Sequence, residues 1–253
     1  MRLRTAVGDD VFGEGARRLW TDEGVETNAL VCAGQATMLG AIFVEDDGDN
    51  RIVIAPGALS VFGPEHVDRS DVAGGDLLLV QLEIPVPTAA QALALAAAVG
   101  VLSVLDPAPA PADGSAAALL SAADLLTPDL GEAQALPGAT GPLDPPVAAR
   151  RLAEATGSAV VLTAGSHGAF VTTGGSVQHV PARPVEQVVD STGAGDAFAG
   201  AGDAFAAGLA VALAEGADLV DAARFAAPAA AYCIRCPGVV PGLPRRADLE
   251  GGP

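Results

Sequence analysis

Short runs of consecutive apolar residues alternate along the chain with alanine-rich stretches whose apolar positions recur at helical spacing. Leu77, Leu78, Leu79 and Val80 form the first clear run, and a helix is predicted from about Thr88. A strand at 101–105, a helix at 117–123 and a short extended pair at Leu125 and Leu126 follow. Then come a helix at 147–155 and strands at 159–163 and 169–172. Strands that are apolar throughout, separated by helices, are the mark of an α/β fold with a mainly parallel sheet covered on both faces. In such sheets ligands bind beyond the carboxyl ends of the strands, so the loops that follow strands carry the most interest.

Residues 37–56 break this rhythm. Two strand-like segments, 39–44 and 51–55, flank the acidic turn EDDGDN, a pattern that predicts a hairpin. Such a hairpin serves either as a lid or pairing surface standing off the sheet, or as an ordinary edge element. The longest apolar run, 89–105, is interrupted by Gln91, Gly100 and Ser103 and ends at Asp106-Pro107. It therefore reads as a buried helix followed by a buried strand, not as a membrane span.

Composition narrows the chemistry. The 253 residues suffice for one well-filled α/β domain or two small ones. A net charge of −18 leaves no basic patch to neutralise nucleic-acid phosphates. Lysine is absent and all 13 basic residues are arginine, which excludes a P-loop lysine and a Schiff-base lysine. Any phosphate site must then rest on backbone N–H groups, arginine or a metal. The opening MRLRTAVGDD has no apolar core of signal-peptide length, so a cytoplasmic protein is expected. The CxxC formed by Cys233 and Cys236 reads as two small residues near a helix end, because zinc requires more ligands than lie nearby in the sequence.

Three post-strand loops hold candidate chemistry. In 163–168, Thr-Ala-Gly-Ser-His-Gly, the two glycines would let the backbone approach a phosphate, or would simply make a turn. In 127–132, Thr-Pro-Asp-Leu-Gly-Glu, two carboxylates three apart either hold magnesium through water or form a helix cap. The third, 190–196, reads Asp-Ser-Thr-Gly-Ala-Gly-Asp and leads into an alanine-rich helix. Amides of Gly193, Ala194 and Gly195 there would form an anion hole strengthened by the helix dipole. Asp196 is then either a cap or a general base for a hydroxyl. The string GAGDAFA in that loop is repeated at once, so Asp203 duplicates Asp196.

DSTGAGDAF followed by an apolar helix resembles the C-terminal signature of the ribokinase-like (PfkB) carbohydrate kinases. Further motifs agree in order: VGDDVFG from residue 7, GVET from 24, GAIFVEDDGDNRIVIAPGA from 40, QLEIP from 81, DPAPA from 106, TPDLGEA from 127 and TAGSHG from 163. The resemblance implies a ribokinase-like three-layer sandwich formed by a single domain over 1–253, with about 34–57 as a partial β lid. It implies ATP-dependent phosphorylation of a pentose, D-ribose being the first candidate, with Mg2+ and K+ as cofactors and a homodimer through the lid. Asp196, with Asp203 as the alternative, is similar to the catalytic base, which also contacts the sugar, and Gly193, Ala194 and Gly195 to the anion hole. Asp129, Thr163, Gly165, Ser166, His167, Gly168 and Ala227 match nucleotide-binding positions, Glu83 a sugar-side position and Glu132 a magnesium position. Asp190, Thr192, Cys233, Cys236, Gly238 and Gly242 match the loops that hold a monovalent cation, several through carbonyl oxygens.

This chain departs from the family pattern in several places. The first strand with its sugar-binding aspartate, the first lid strands and the GGKxxN segment would precede residue 1, so an N-terminally truncated version of the fold is expected. A catalytically impaired nucleotide-binding or dimerising remnant is the corresponding alternative. Asp129 replaces an asparagine, and Pro228 is expected to kink or break a helix. The duplication adds seven residues between the signature and the next helix. Upstream, Asp190-Ser-Thr keeps its spacing only to the first copy; downstream, the helix keeps its usual length only from the second. Spacing to the anion hole favours Asp196.

Overall fold

Paired strands near the N-terminus are too short to register as periodic runs. β1 (Arg2–Leu3) pairs in parallel with β3 (Glu26–Thr27), and β2 (Ala6–Gly8) in parallel with β4 (Leu30–Cys32). Between them α1 (Val11–Asp22) starts at Asp10. The Asp10 carboxylate accepts from the Gly13 N–H (2.9 Å), the Thr37 hydroxyl (2.6 Å) and the Thr37 N–H (2.8 Å). Besides capping the helix, Asp10 thus ties the segment around Thr37 to α1. The computed structural model that shows this describes residues 1–44, 50–111, 114–136, 144–185, 199–235 and 238–250.

The donors around Asp10, above all the Thr37 hydroxyl, hold its carboxyl down at about 2. A depressed carboxylate contributes stability that is present above its ordinary value of 3.8 and is lost as pH falls toward 2. Asp10→Ala is therefore expected to lower Tm at pH 7, and the gap between variant and wild type to shrink below about pH 3, as read in paired thermal melts.

The predicted strands at 39–44 and 51–55 appear as β5 (Leu39–Val44) and β6 (Asn50–Ala55), paired in a two-stranded sheet of their own. After α2 (Arg69–Val72) and β7 (Leu77–Gln81), the helix expected from Thr88 begins two residues earlier, as α3 (Val86–Val99). Pro87 fits its first turn, where a missing N–H costs nothing, and Gly100 ends it at φ +72°. β8 (Leu102–Asp106) follows.

The remaining elements are α4 (Ala117–Leu120), β9 (Leu125–Leu126), α5 (Leu130–Ala135), α6 (Pro145–Thr156), β10 (Ala159–Thr163), β11 (Ala169–Thr173), β12 (Ser176–Val180), α7 (Ala199–Ala214), α8 (Leu219–Cys233), α9 (Val239–Gly242) and α10 (Arg246–Glu250). The chain divides into two compact units, Met1–Ile42 with Ile52–Ser103, and Phe43–Arg51 with Val104–Pro253. Within the second, the strand order is β12-β11-β10-β9-β8. β8, β9 and β10 run parallel, with Leu105 and Val160 both opposite Leu126, while β10, β11 and β12 are antiparallel. Val104, Leu105, Leu126, Val160, Val161 and Leu162 are all fully buried. This agrees with the α/β fold and mainly parallel central sheet read from the continuous apolar runs.

Helices α7 and α8 pack closely through small residues: Ala201, Ala204, Ala229 and Cys233 form one buried cluster. Of the kink or break expected at Pro228, the break is not found, since α8 continues from Leu219 to Cys233 with the proline inside it. Buried Ala222, Ala223, Ala226 and Ala229 and the Asp218 cap hold both halves of the helix, and packing outweighs the one lost backbone bond. Among the described residues, no helix is long and apolar enough to cross a membrane.

Candidate active site

The ends of the three parallel strands bring acidic groups together. Asp106 closes β8 and is buried. Thr127 follows β9, its N–H donating to the Leu105 carbonyl (3.0 Å). The Thr127 side chain is also buried, and its hydroxyl makes no hydrogen bond to the described residues. The Thr163 N–H at the end of β10 donates to the Pro128 carbonyl (3.0 Å), and Asp129 lies in a parallel bridge with Thr163. The strand register thus fixes where the loop of residues 127–132 begins.

Asp129 caps α5 by accepting from the Glu132 N–H (2.6 Å), and the Glu132 carboxylate accepts in return from the Asp129 N–H (2.8 Å). The cap reading of this pair is therefore realised as a reciprocal capping box. Glu132 has a second property that a surface cap lacks. Burial, reinforced by the charges of Asp129, Asp106 and Asp203, pushes its carboxyl up to about 8. The charges of Asp106 at the end of β8, Asp129 at the cap of α5 and Asp203 on α7 thus all act on Glu132, and a cation there would relieve their repulsion. Among the described residues no three His, Cys, Asp or Glu side chains form a metal site by themselves. The donor set fits magnesium carried mainly by water and phosphate oxygens, as that ion prefers.

The loop of residues 163–168 joins β10 to β11. Gly165 to His167 form a single 3-10 turn, closed by the Gly168 N–H to the Gly165 carbonyl (3.0 Å) and the Ala164 N–H to the Gly168 carbonyl (2.8 Å). Gly168 has φ +81°, and a Cβ there would overlap the Val180 carbonyl oxygen and lie 2.6 Å from the Ala182 nitrogen. This glycine is required by the chain's own crossing at the end of β12. Ser166 and His167 stand exposed at the tip, with the His179 ring 2.7 Å from the His167 carbonyl and stacked on Phe170.

Asp190, Thr192, Gly193, Ala194, Gly195, Asp196 and Cys236 lie outside the described residues. Their duplicate does not: Asp203 is exposed on α7. Ala227 is half-buried on α8. Gly238 leads into α9 at φ +82°, and a Cβ on Gly242 would lie 3.0 Å from the Cys233 carbonyl oxygen, so those two positions meet. Glu83 lies exposed in the turn after β7, in the first unit. Sequence reasoning assigned no role to Asp106 or Thr127. An aspartate closing a buried apolar run and a threonine just after a strand were the available signals.

Comparison with known proteins agrees with this geometry. The profile described as pfkB family carbohydrate kinase matches residues 1–246. Ribokinase of Lactococcus lactis is 30% identical over 247 residues, covering 97% of this chain and 76% of the relative. Deoxyribokinase of Salmonella typhimurium is 30% identical over 207 residues, 78% of this chain and 66% of the relative. Among solved structures, Arabidopsis thaliana ribokinase complexed with ribose and ATP superposes with a TM-score of 0.84 at 27% identity, covering 98% of this chain and 80% of that one. Ribokinase of Thermotoga maritima gives 0.82 at 28%, again over 98% of this chain and 80% of that one. The chain belongs to the pfkB family of carbohydrate kinases. It is a phosphotransferase with an alcohol acceptor, built on the ribokinase-like fold.

Proposed function

We propose that this chain transfers the γ-phosphoryl of ATP to a hydroxyl of a pentose, D-ribose being the preferred acceptor. The observation that carries this reading is similarity to ribokinases along nearly the whole chain, joined to the carboxylate cluster at the ends of β8 and β9. An aspartate of the GAGDAFA repeat, Asp196 or Asp203, takes the proton of the sugar hydroxyl. The freed oxygen bonds to the γ-phosphorus, and the bond from that phosphorus to the β,γ-bridging oxygen breaks, its electron pair leaving on ADP.

The chain contains no lysine, so backbone amides of one copy of the repeat, Gly193, Ala194 and Gly195 or their counterparts seven residues on, stabilise the spread negative charge. Thr163, Gly165, Ser166, His167 and Gly168, with Asp129 and Ala227, line the nucleotide side, and Glu83 serves the sugar. Bound magnesium would neutralise phosphate charge, and Glu132 would be the residue that holds it, through water. Asp190 and Thr192, with the carbonyls near Cys233, Cys236, Gly238 and Gly242, would hold potassium. The chain acts as one catalytic domain in the cytoplasm, with residues 34–57 as its lid. Exposed Ile42, Phe43, Val53 and Ile54 on β5 and β6 suit a second copy of the chain as partner.

ADP release should be measured with ATP, Mg2+ and a pentose panel including D-ribose and 2-deoxy-D-ribose, with and without K+. The expected result is turnover that depends on D-ribose and rises with K+. ATP binding without sugar-dependent ADP release would overturn this reading in favour of an impaired, nucleotide-binding remnant.

A further inference from the structure

The duplicated string poses a question that the family relationship does not answer, namely which copy works. Packing of α7 answers it. Ala201, Ala204, Phe205, Leu209 and Ala212 are buried along one side of this helix, while Gly202 and Asp203 are exposed. Gly208 lies where α7 crosses α8, and a Cβ there would meet Ala226 Cα at 3.1 Å.

Seven residues make two helical turns to within about 20°, so sliding the first copy into the second copy's place would keep the same face inward. Every slot would then be filled by the residue seven earlier. Gly202 would enter the fully buried place of Leu209, Phe205 that of Ala212, and Ala201 that of Gly208. The first leaves a cavity, the second overpacks, and the third drives a methyl into α8. Asp203 itself would move to the half-buried place of Ala210. The residues after the repeat therefore lock the helix in the register that presents the second copy.

Within that register Asp203 shares an electrostatic neighbourhood with Glu132, Asp129 and Asp106 at the strand ends. The buried hydroxyl of Thr127, without a partner among the described residues, stands at the end of β9, two residues before Asp129. A buried polar atom left unpaired at these strand ends marks a place that a ligand completes.

We propose that the second copy carries the chemistry: Asp203 is the general base, and the free amides of Gly200 and Ala201 in the first turn of α7 form the anion hole. This rests on the kinase reading above and transfers the role expected of Asp196. The sugar hydroxyl gives its proton to the Asp203 carboxylate as its oxygen bonds to the γ-phosphorus and ADP departs with the bridging electron pair. Deleting either copy yields the same sequence, so only point substitutions separate them.

The test has two arms. In the first, D-ribose phosphorylation is followed for wild type, Asp203→Asn and Asp196→Asn, with ATP binding monitored by thermal shift. Asp203→Asn should lower kcat at least 100-fold with ATP binding retained, and Asp196→Asn should lower it far less. Turnover surviving in Asp203→Asn, or an equal loss in Asp196→Asn, overturns the proposal. The second arm needs no activity: Leu209→Ala should lower Tm sharply, and Gly208→Ala should lower it too, because its methyl meets Ala226 of α8 only in this register. A Tm unchanged by both substitutions overturns the register and the proposal with it. A wild-type chain that phosphorylates no pentose overturns the functional reading instead, and the melting arm still decides the copy.

Discussion

Glu132→Gln is expected to raise Tm at pH 8.5, to leave it nearly unchanged near pH 4.5, and to lower Mg-ATP-dependent turnover by roughly 10–100-fold, as for other groups that orient a metal site. The two halves of this result come from one cause. In the folded chain the Glu132 carboxyl is raised from its ordinary 4.5 to about 8, by burial first and then by Asp129, Asp106 and Asp203. Between those values the folded state binds more protons than the unfolded state, so stability declines as pH rises through that window. Above it the fold must carry a desolvated charge among other negative charges. Glutamine has no charge to desolvate, and its carbonyl oxygen can still accept from the Asp129 N–H, so the capping box survives.

The cost appears only where a cation is needed. The same variant should lose part of the thermal stabilisation that Mg-ATP confers on wild type. Paired melting curves at the two pH values, with and without Mg-ATP, check both halves. A Tm difference that does not change with pH would refute the electrostatic origin.

Gly168→Val is expected to be the most disruptive single change in the loop of residues 163–168, proposed above to bind the nucleotide. It demands a branched side chain at φ +81°, a region that L residues rarely occupy, and places its Cβ onto the backbone where β12 ends at Val180. Strain and overlap together cost about 2–5 kcal/mol, a large part of the total stability of an ordinary domain. Gly174→Ala provides the control, since Gly174 also has positive φ (+54°) but open space around its Cβ. Its cost should stay near 1–2 kcal/mol, the conformational part alone. Urea denaturation of the two variants separates the contributions, and KM for ATP should rise steeply only in Gly168→Val.

Much of the fold is legible along the chain because parallel strands buried on both faces must be apolar throughout. The runs at 77–80, 101–105 and 159–163 therefore appear as β7, β8 and β10 almost to the residue. β1 to β4 escape the same reading because strands of two or three residues are shorter than the period that would reveal them. Pro228 shows the opposite case: the break it would favour does not occur, because burial of the alanines around it holds α8 together.

In the site, residue type and spacing alone single out Asp129 and Glu132, yet leave open whether they cap a helix or serve an ion. They do cap the helix, and they are also crowded by Asp106 and Asp203, residues 26 and 71 positions away from Glu132. Spacing likewise cannot rank the two copies of GAGDAFA, because each satisfies one flank. The α/β class, the family motifs and the acidic candidates are legible in the chain because all depend on nearest neighbours or short periods. The raised Glu132 carboxyl and the side of α7 that faces solvent emerge only once the segments pack. Burial and charge proximity are properties of segments that meet in space, and no local pattern records them.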